Sequence, residues 1–316
     1  VDDVGDVVVE GVLPLLNGFD TVYASITETL DANVENLTLT GIGNTSGNGN
    51  ASANLIKGNA GNNVLDGKAG IDTMEGSTGS DTYYVDNTAD VINENAASGT
   101  EWVYASATYT LADPDVEHLV LTGAGAINGT GNASTNWMYG NSANNTLLGL
   151  GGADTFYASS GNDTVQGGTG GDNIHGGTGV DTLRAVDNVA GADDGIEDRF
   201  YFDTTLNALT NVDLIDKATF NTADGVDDEI YLENSIFTAL TGAGGATGTL
   251  NEYYEGAGLT GGGLFDPIGI YLNTTDGSLR YNATFGTAND SVQFAVVNNT
   301  IIGTSSSLER FDFQLV

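Results

Sequence analysis

A nine-residue period restricts the fold of this chain more than any other feature of its sequence. The period has the form Gly-Gly-x-Gly-x-Asp-x-U-x, where U is a large apolar residue. Two arrays carry it, at about residues 49–93 and 131–184. Their sixth positions are Asn54, Asn63, Asp72, Asp81 and Asp90 in the first array, and Asn136, Asn145, Asp154, Asp163, Asp172 and Asp181 in the second. A period of nine suits neither a helix nor a long strand, so it must describe a short repeating structural unit.

Each nine-residue repeat divides into a predicted turn and a predicted strand. The glycine-rich half can adopt positive φ angles, which glycine reaches without steric cost. The x-U-x half predicts a short strand with U pointing inward. Two repeats make one coil of 18 residues, and the coils must stack because a single repeat cannot bury its apolar face. We therefore expect an all-β fold, with a parallel β-roll or β-solenoid over residues 1–184.

The remaining residues, 185–316, predict a β-rich C-terminal domain that caps the roll or serves in secretion or assembly. Several short apolar or alternating segments predict strands, and Thr274–Gly277 predicts a hairpin turn between two of them. Asn234–Leu240 is the one segment that suggests a short helix. The final residues, Phe311–Val316, predict a closing strand.

A longer repeat of about 82 residues contains the shorter one. The segment Asn33–Gly41 matches Asp115–Gly123, and Gly18–Tyr23 matches Gly99–Tyr104. Each long repeat therefore consists of a nine-residue array and a strand-rich spacer, and residues 1–184 hold two of them. Because Val1 falls where such an array would just have ended, we expect the chain to be part of a longer protein.

The sixth positions predict cation sites, since residues 18 apart come to lie directly above one another. Asp154 pairs in this way with Asp172, Asp163 with Asp181, and Asp72 with Asp90, whereas Asp81 stacks on Asn63. Stacked carboxylates repel each other unless a cation lies between them. Oxygen ligands at adaptable distances suit Ca²⁺ rather than Zn²⁺ or a redox metal. The alternative is a β-solenoid with Asn and Asp ladders and no metal, which is most credible at Asn54, Asn136 and Asn145.

Charge and composition exclude several other functions. The chain has 43 Asp and Glu residues against 7 Lys and Arg, for a net charge of −36, which makes nucleic-acid binding untenable. Cysteine is absent, so no disulfide framework is available. Adaptation to high salt would scatter the acidic residues, but here many fall on a fixed grid. No run of about 18 apolar residues occurs, so no transmembrane segment is predicted.

The arrays resemble the RTX (repeats-in-toxin) family of hemolysin-type calcium-binding exoproteins, most clearly at Gly167–Asp172 and Gly176–Asp181. The resemblance implies a parallel β-roll, several Ca²⁺ ions between turns, and type I secretion to the outside or surface of a Gram-negative bacterium. It also implies that the carbonyls of the first and third positions join the Asp as ligands. Those positions are Gly67, Ala69, Gly76, Thr78, Gly149, Gly151, Gly167, Thr169, Gly176 and Thr178. The turns at Ala158–Ser160 and Val85–Asn87 depart from the pattern. The final residues, Phe311–Val316, resemble the C-terminal secretion signals of this family.

No catalytic motif stands out, so we expect that the chain is not an enzyme. Neither H-E-x-x-H nor G-x-S-x-G occurs, and the two histidines, His118 and His175, are interpreted as surface residues. The first functional hypothesis is a secreted structural or adhesive protein, such as part of a surface layer, filament or adhesin. It would fold on Ca²⁺ outside the cell and contact copies of itself or cell-surface glycans. The alternative is the C-terminal calcium-binding and secretion module of a larger exoenzyme.

Overall fold

A computed structural model describes the two arrays and their spacers almost continuously. The described residues are 1–4, 6, 8, 18–94, 99–185, 196–204, 213–216, 228–232, 248–249, 253–256, 269–273, 278–282, 292–297 and 313–315. All regular elements in them are β-strands, which confirms the all-β prediction. The same residues include no helix that could cross a membrane. Contacts divide the chain into two compact units, Val1–Met138 and Tyr139–Val316.

The first unit is a parallel coil. Its strands are β1 (Thr21–Ala24), β2 (Glu28–Thr29), β3 (Asn36–Leu39), β4 (Ser46–Asn48), β5 (Leu55–Lys57), β6 (Val64–Asp66), β7 (Thr73–Glu75), β8 (Thr82–Val85), β9 (Val91–Asn93), β10 (Trp102–Ala105), β11 (Tyr109–Thr110), β12 (His118–Leu121) and β13 (Gly129–Thr130). Strand β14 (Trp137–Tyr139) contains the boundary between the units. One sheet has the order β1-β3-β5-β7-β9, a second contains β2-β4-β6-β8-β10-β12, and β11 pairs with β13. Consecutive strands thus alternate between sheets, as a coiling chain requires.

The second unit begins in the same way and ends differently. Its strands are β15 (Thr146–Gly151), β16 (Thr155–Tyr157), β17 (Thr164–Thr169), β18 (Asn173–His175), β19 (Thr182–Arg184), β20 (Arg199–Phe202), β21 (Asp213–Asp216), β22 (Glu229–Leu232), β23 (Gly248–Thr249), β24 (Tyr253–Gly256), β25 (Gly269–Asn273), β26 (Ser278–Asn282), β27 (Val292–Val297) and β28 (Phe313–Leu315). Parallel pairing continues beyond Arg184, from β18 to β20 and from β19 to β21. It gives way to antiparallel pairs at β25-β26-β27 and at β23-β28.

The predictions for the C-terminal residues have mixed outcomes. The strands that flank Thr274–Gly277 pair antiparallel, as a hairpin requires, although that segment itself lies outside the described residues. Asn234–Leu240, the predicted short helix, also lies outside them. Near the end of the chain, Phe313–Leu315 forms a strand that pairs with both β22 and β23. The boundary at residues 184 and 185 between roll and C-terminal domain stays a prediction.

The core consists of the eighth positions, as the period predicts. In the register, Ile56 lies beside Met74 and Leu65 beside Tyr83, which are 18 residues apart. The eighth-position side chains that are fully buried are Ile56, Leu65, Met74, Tyr83, Met138, Leu147, Phe156, Val165, Ile174 and Leu183. Their flanking residues are only partly buried or exposed. A single apolar side chain per repeat therefore fills the interior, and the turns lie to either side of it.

The matching strands of the two spacers lie in different sheets of the first unit. Strands β1 and β3 of the first spacer belong to the β1-β3-β5-β7-β9 sheet, whereas their sister strands β10 and β12 belong to the other sheet. The cause is numerical, because the long repeat of about 82 residues corresponds to roughly four and a half coils of 18 residues. A half coil moves a segment from one sheet to the other.

Candidate metal centre

The sixth-position residues form stacks with one repeated contact. In six stacked pairs the backbone N–H of one residue donates to Oδ1 of the Asp one coil later. The distances are 2.7 Å for Asn54 to Asp72, 2.6 Å for Asn63 to Asp81, 2.9 Å for Asp72 to Asp90, 2.7 Å for Asn145 to Asp163, 2.8 Å for Asp154 to Asp172 and 2.8 Å for Asp163 to Asp181. The spacing of 18 residues therefore aligns these side chains as the sequence predicts.

The second carboxylate oxygen in these stacks lacks a protein partner at three well-defined positions. Oδ2 of Asp72, Asp81 and Asp163 is buried and accepts no hydrogen bond. Burying a carboxylate oxygen without compensation costs a large amount of free energy. Each of these oxygens is therefore available to a cation. Asp154, Asp172 and Asp181 are equally buried.

The backbone of these turns is left-handed at the second and fourth positions. At the second position φ is 63° at Lys68, 84° at Ser77, 76° at Leu150, 80° at Ser159, 112° at Gly168 and 90° at Gly177. At the fourth position it is 146° at Gly70, 122° at Gly79, 102° at Gly152, 132° at Gly161, 122° at Gly170 and 147° at Gly179. Only glycine adopts such angles freely, so the non-glycine residues at the second position are held there by the turn.

The first-position glycine is needed for a different reason, which is space. A Cβ atom added to Gly67 would lie 2.4 Å from Oδ2 of Asp72, and one added to Gly76 would lie 2.4 Å from Oδ2 of Asp81. The open oxygen therefore lies against the bare Cα of the same turn. At Gly67 and Gly76 an added side chain would therefore have to displace the carboxylate, whereas the turn before Asp163 has Ala158 at this position and still leaves Oδ2 open.

Backbone carbonyls are the remaining source of ligands. Among the described residues, no group of three or more His, Asp or Glu side chains could hold a metal ion. A cation at these turns would therefore combine one or two carboxylates with carbonyl oxygens, a ligand set that suits Ca²⁺. The carbonyl of Thr178 already accepts the N–H of Gly161 at 3.0 Å, but a carbonyl has a second lone pair.

Burial raises the pKa of these carboxyl groups. It raises the pKa of Asp72 and of Asp81 to about 6, although a backbone N–H bond opposes the change in each case. Asp163 is raised to about 7 and Asp181 to about 6, again chiefly through burial. The carboxylate form is thus disfavoured in this environment unless a positive charge compensates it.

The two turns that depart from the Gly-Gly-x-Gly pattern, before Asp163 and before Asp90, differ from each other in backbone geometry. The turn of Ser159 and Gly161 has the same left-handed angles as its glycine-rich neighbours, and it leaves Oδ2 of Asp163 open. The turn before Asp90 lacks this geometry. There Oδ1 accepts the N–H of Asp72 at 2.9 Å and Oδ2 accepts the N–H of Asn87 at 3.1 Å. Asp90 thus closes its turn with hydrogen bonds, and as a metal ligand it is a weaker candidate than Asp163.

Sequence analysis missed the continuation of the stacks beyond the arrays. Asp172 donates its N–H to Oδ1 of Asp198 at 2.7 Å, and Asp181 donates to Asp213 at 3.1 Å. Asp198 donates in turn to Asp228 at 3.0 Å. All three Asp side chains are buried, and no Gly-Gly-x-Gly sequence precedes any of them. The signal that could have identified them is an Asp two residues before a buried apolar residue, as in Asp198 and Phe200.

The first unit has Glu residues at the equivalent points of its spacers. The N–H of Asp20 donates to Glu35 at 3.0 Å, and that of Glu101 donates to Glu117 at 2.8 Å. Burial, together with the hydrogen bond to Glu117, raises the pKa of Glu101 to about 9. The spacers therefore continue the stack with a longer acidic side chain, and at Glu101 the raised pKa favours the protonated carboxyl.

Both histidines face outward but are covered by aromatic neighbours. His118 lies between Trp102 and Trp137, with ring centroids 4.3 and 5.5 Å apart, and burial lowers its pKa. His175 stacks between two Tyr rings and its Nδ1 lies 2.7 Å from Asp203. Both side chains lie on the outer face, as the sequence predicts, but the sequence did not predict that aromatic rings pack against them.

Comparison with protein families finds the calcium-binding repeat in both arrays. A family model described as the RTX calcium-binding nonapeptide repeat matches four times, at residues 39–74, 57–92, 130–165 and 157–185. No curated protein matches the chain. The matched segments contain every turn with the left-handed pair of angles.

Proposed function

Because this is a chain with RTX calcium-binding nonapeptide repeats, we propose that it is a secreted protein that folds on binding Ca²⁺ outside the cell. The observation that carries the proposal is the buried, open Oδ2 of Asp72, Asp81 and Asp163. Each lies in a turn whose carbonyls supply further oxygens. Asp154, Asp172 and Asp181, with the first- and third-position carbonyls, complete the proposed set of ligands.

The proposed mechanism couples folding to binding. At a net charge of −36 the chain repels itself, and the buried carboxylates add to the cost of folding. Cytosolic Ca²⁺ is scarce, whereas outside the cell it is roughly millimolar, the range in which extracellular calcium modules bind. An ion that binds only the folded state stabilises it by mass action. The chain would then stay extended for export and fold after it.

Circular dichroism tests this proposal directly. The purified chain is measured in chelator and again after Ca²⁺ is restored, together with its melting temperature. Above about pH 7, where these buried carboxyls are ionised, we expect β-structure and a cooperative transition with Ca²⁺, and loss of both without it. An unchanged spectrum and melting temperature in chelator would rule the mechanism out.

For the biological role, we favour a structural or adhesive protein over an enzyme module. The support is the duplicated spacer, whose sister strands β1 and β10 each carry outward aromatic residues, Tyr23 in the first and Trp102 and Tyr104 in the second. Such a repeat offers the same surface more than once to copies of the chain or to cell-surface glycans.

Sedimentation and glycan-array binding, both at millimolar Ca²⁺, test this role. Self-association or glycan binding that disappears in chelator is the expected result. A folded monomer that binds no glycan would instead favour a calcium-binding module for export of an attached exoenzyme.

A further inference from the structure

Apart from the turn before Asp90, the turns of the two arrays fall into two kinds, which differ at the second position as well as the sixth. Every turn with Asn at the sixth position also has Asn at the second. The pairs are Asn50 with Asn54, Asn59 with Asn63, Asn132 with Asn136, and Asn141 with Asn145. The turns with Asp at the sixth position and a left-handed second residue have Gly, Lys, Ser or Leu there instead.

The Asn pairs close their turns with the same two hydrogen bonds each time. The N–H of the second residue donates to Oδ1 of the sixth, at 2.8 Å in three turns and 2.9 Å in the turn of Asn141. The N–H of the fourth residue donates to Oδ1 of the second at the same distances. Four independent turns therefore share one closed arrangement.

The side-chain amides extend this closure to the preceding coil. In the turn of Asn59 and Asn63, Nδ2 of Asn59 donates to the carbonyl of Thr40 at 3.1 Å. Nδ2 of Asn63 donates to the carbonyl of Thr45 at 3.0 Å. An Asp cannot make this second bond, because an ionised carboxylate has no proton to donate. The Asn oxygen lies where the open Asp oxygen lies, since a Cβ added to Gly58 would be 2.5 Å from Oδ1 of Asn63 and one added to Gly67 would be 2.4 Å from Oδ2 of Asp72. In the Asn turn that oxygen already accepts the N–H of Asn59, whereas in the Asp turn it accepts none.

The φ angles at the second position of the two kinds of turn are the reverse of what the conformational preferences of the residues predict. Asn tolerates a left-handed conformation better than Lys, Ser or Leu, yet none of the four second-position Asn residues has a positive φ. The fourth position allows φ to be compared for the same residue, glycine, in both kinds of turn. Gly61, in an Asn turn, has no positive φ, whereas Gly70 and Gly79, in Asp turns, have 146° and 122°. The conformation therefore follows the kind of turn.

We propose that the residue pair at positions two and six decides whether a turn takes Ca²⁺ or closes without it. Asn at both positions makes a metal-independent turn that is already satisfied by amide hydrogen bonds. Asp at position six, with a left-handed residue at position two, makes a turn that needs the ion. The statement that Asp turns need the ion rests on the proposed calcium function. The statement that Asn turns close without it rests on hydrogen bonds alone.

The turn of Asn63 allows a gain-of-site experiment, since it already has Gly58 at its first position and Gly61 at its fourth. The variants are N63D and N59G/N63D in the full chain, and the bound Ca²⁺ is counted by equilibrium dialysis. We expect N63D to bind as many ions as the native chain, and the double variant to bind one more. Equal numbers for the two variants would overturn the proposal.

The reverse exchange, from an Asp turn to an Asn turn, keeps the proposal testable if the gain-of-site variants fail to fold. At the turn of Lys68 and Asp72, D72N alone should lose a bound ion and melt at a lower temperature in millimolar Ca²⁺. K68N/D72N should bind as few ions as D72N but recover part of the melting temperature. No recovery contradicts the proposal. If the native chain itself bound no Ca²⁺, the proposed function would fail, while recovery in the double variant would still support the metal-independent turn.

Discussion

The first-position glycines lie directly beneath the carboxylates that we assign to the metal. At Gly67 the nearest atoms to an added Cβ are Oδ2, Cγ and Cβ of Asp72, at 2.4, 2.7 and 2.8 Å. All three belong to a side chain that is itself completely buried. Neither partner can move aside easily, so residue 67 tolerates no side chain while Asp72 keeps its place.

Substitution of Gly67 by Ala should therefore weaken Ca²⁺ binding at one turn. Overpacking of this kind typically costs about 1–3 kcal/mol, and we expect that loss in the free energy of unfolding at saturating Ca²⁺. The matched control is Gly125→Ala, because an added Cβ there meets nothing within 4 Å. Chemical denaturation of both variants measures the difference, and equal stabilities would contradict the assigned geometry.

The raised pKa values predict that acid substitutes in part for calcium. Because burial raises the pKa of Asp72 and Asp81 to about 6 and of Asp163 to about 7, the metal-free fold favours protonated carboxyls. Their contribution to stability is complete below their ordinary pKa of about 4 and is lost as the pH rises through 6 to 7. The melting temperature in calcium-free buffer should fall between pH 5 and 7.

Calcium should reverse this trend, since the ion binds the ionised carboxylate. In millimolar Ca²⁺ the melting temperature should rise over the same pH interval. Two series of melting curves, with and without Ca²⁺, give the comparison. A calcium-free melting temperature that is constant or rising from pH 5 to 7 would show that these carboxyls are not buried as described.

Sequence reasoning predicted the positions of the stacked carboxylates but not which of their oxygens are engaged. The spacing of nine fixes which residues share a column, because turn and strand lengths are constant. Whether Oδ2 is open depends on the backbone of the turn, as Asp90 and Asp163 show. Both have an irregular turn in the sequence, but only Asp163 keeps the left-handed pair at Ser159 and Gly161. The sequence shows part of the cause, since the fourth position is Gly161 before Asp163 and Thr88 before Asp90, and glycine alone adopts that angle freely. The hydrogen bonds that engage both oxygens of Asp90 are visible only in the structure.

Among the elements, the strands with outward aromatic side chains form ladders. In the second unit, Tyr139, Tyr157, His175, Tyr201 and Tyr231 occupy the same outward position of successive coils. Neighbouring ring centroids are 5.1, 4.5, 4.2 and 4.8 Å apart. Cross-strand aromatic pairs of this kind stabilise a sheet beyond their buried area. The ladder involves no carboxylate of the turns, so its contribution should not depend on the ion.

Tyr157→Ala should accordingly lower stability by similar amounts at saturating and at limiting Ca²⁺. Each of its two ring contacts contributes about 0.5–1.5 kcal/mol. Tyr23→Ala provides the control, since Tyr23 is 62% exposed, and it should change stability by no more than about 0.5 kcal/mol. Thermal melts at several Ca²⁺ concentrations give both values. A loss for Tyr157→Ala seen only with Ca²⁺ would link the ladder to the metal sites.

At the scale of the whole molecule, the net negative charge is the main influence on stability. With 43 acidic and 7 basic residues, few internal ion pairs are available to offset repulsion. Lys57 with Glu75 and Lys68 with Asp66 are two of them, and both lysines are about half exposed. Exposed pairs of this kind contribute little. Stability of the whole chain should therefore follow the concentration of a bound divalent cation.

That dependence should distinguish Ca²⁺ from Mg²⁺. Each calcium site should add about 2.7 kcal/mol when free Ca²⁺ is a hundredfold above its dissociation constant. Mg²⁺ requires near-octahedral geometry at short distances and gives up its water reluctantly, so an adaptable turn of carbonyls and one carboxylate suits it poorly. A melting temperature that rises equally in the two ions would indicate general charge screening instead of specific sites.

The half-coil offset between spacers has a consequence for recognition along the chain. Because sister strands β1 and β10 belong to different sheets, the two copies of one sequence motif face opposite directions. A ligand or neighbouring chain that runs along one sheet of this unit would therefore meet one copy of the motif and not the other. Cross-linking through this motif would engage partners on two different faces of the unit instead of one.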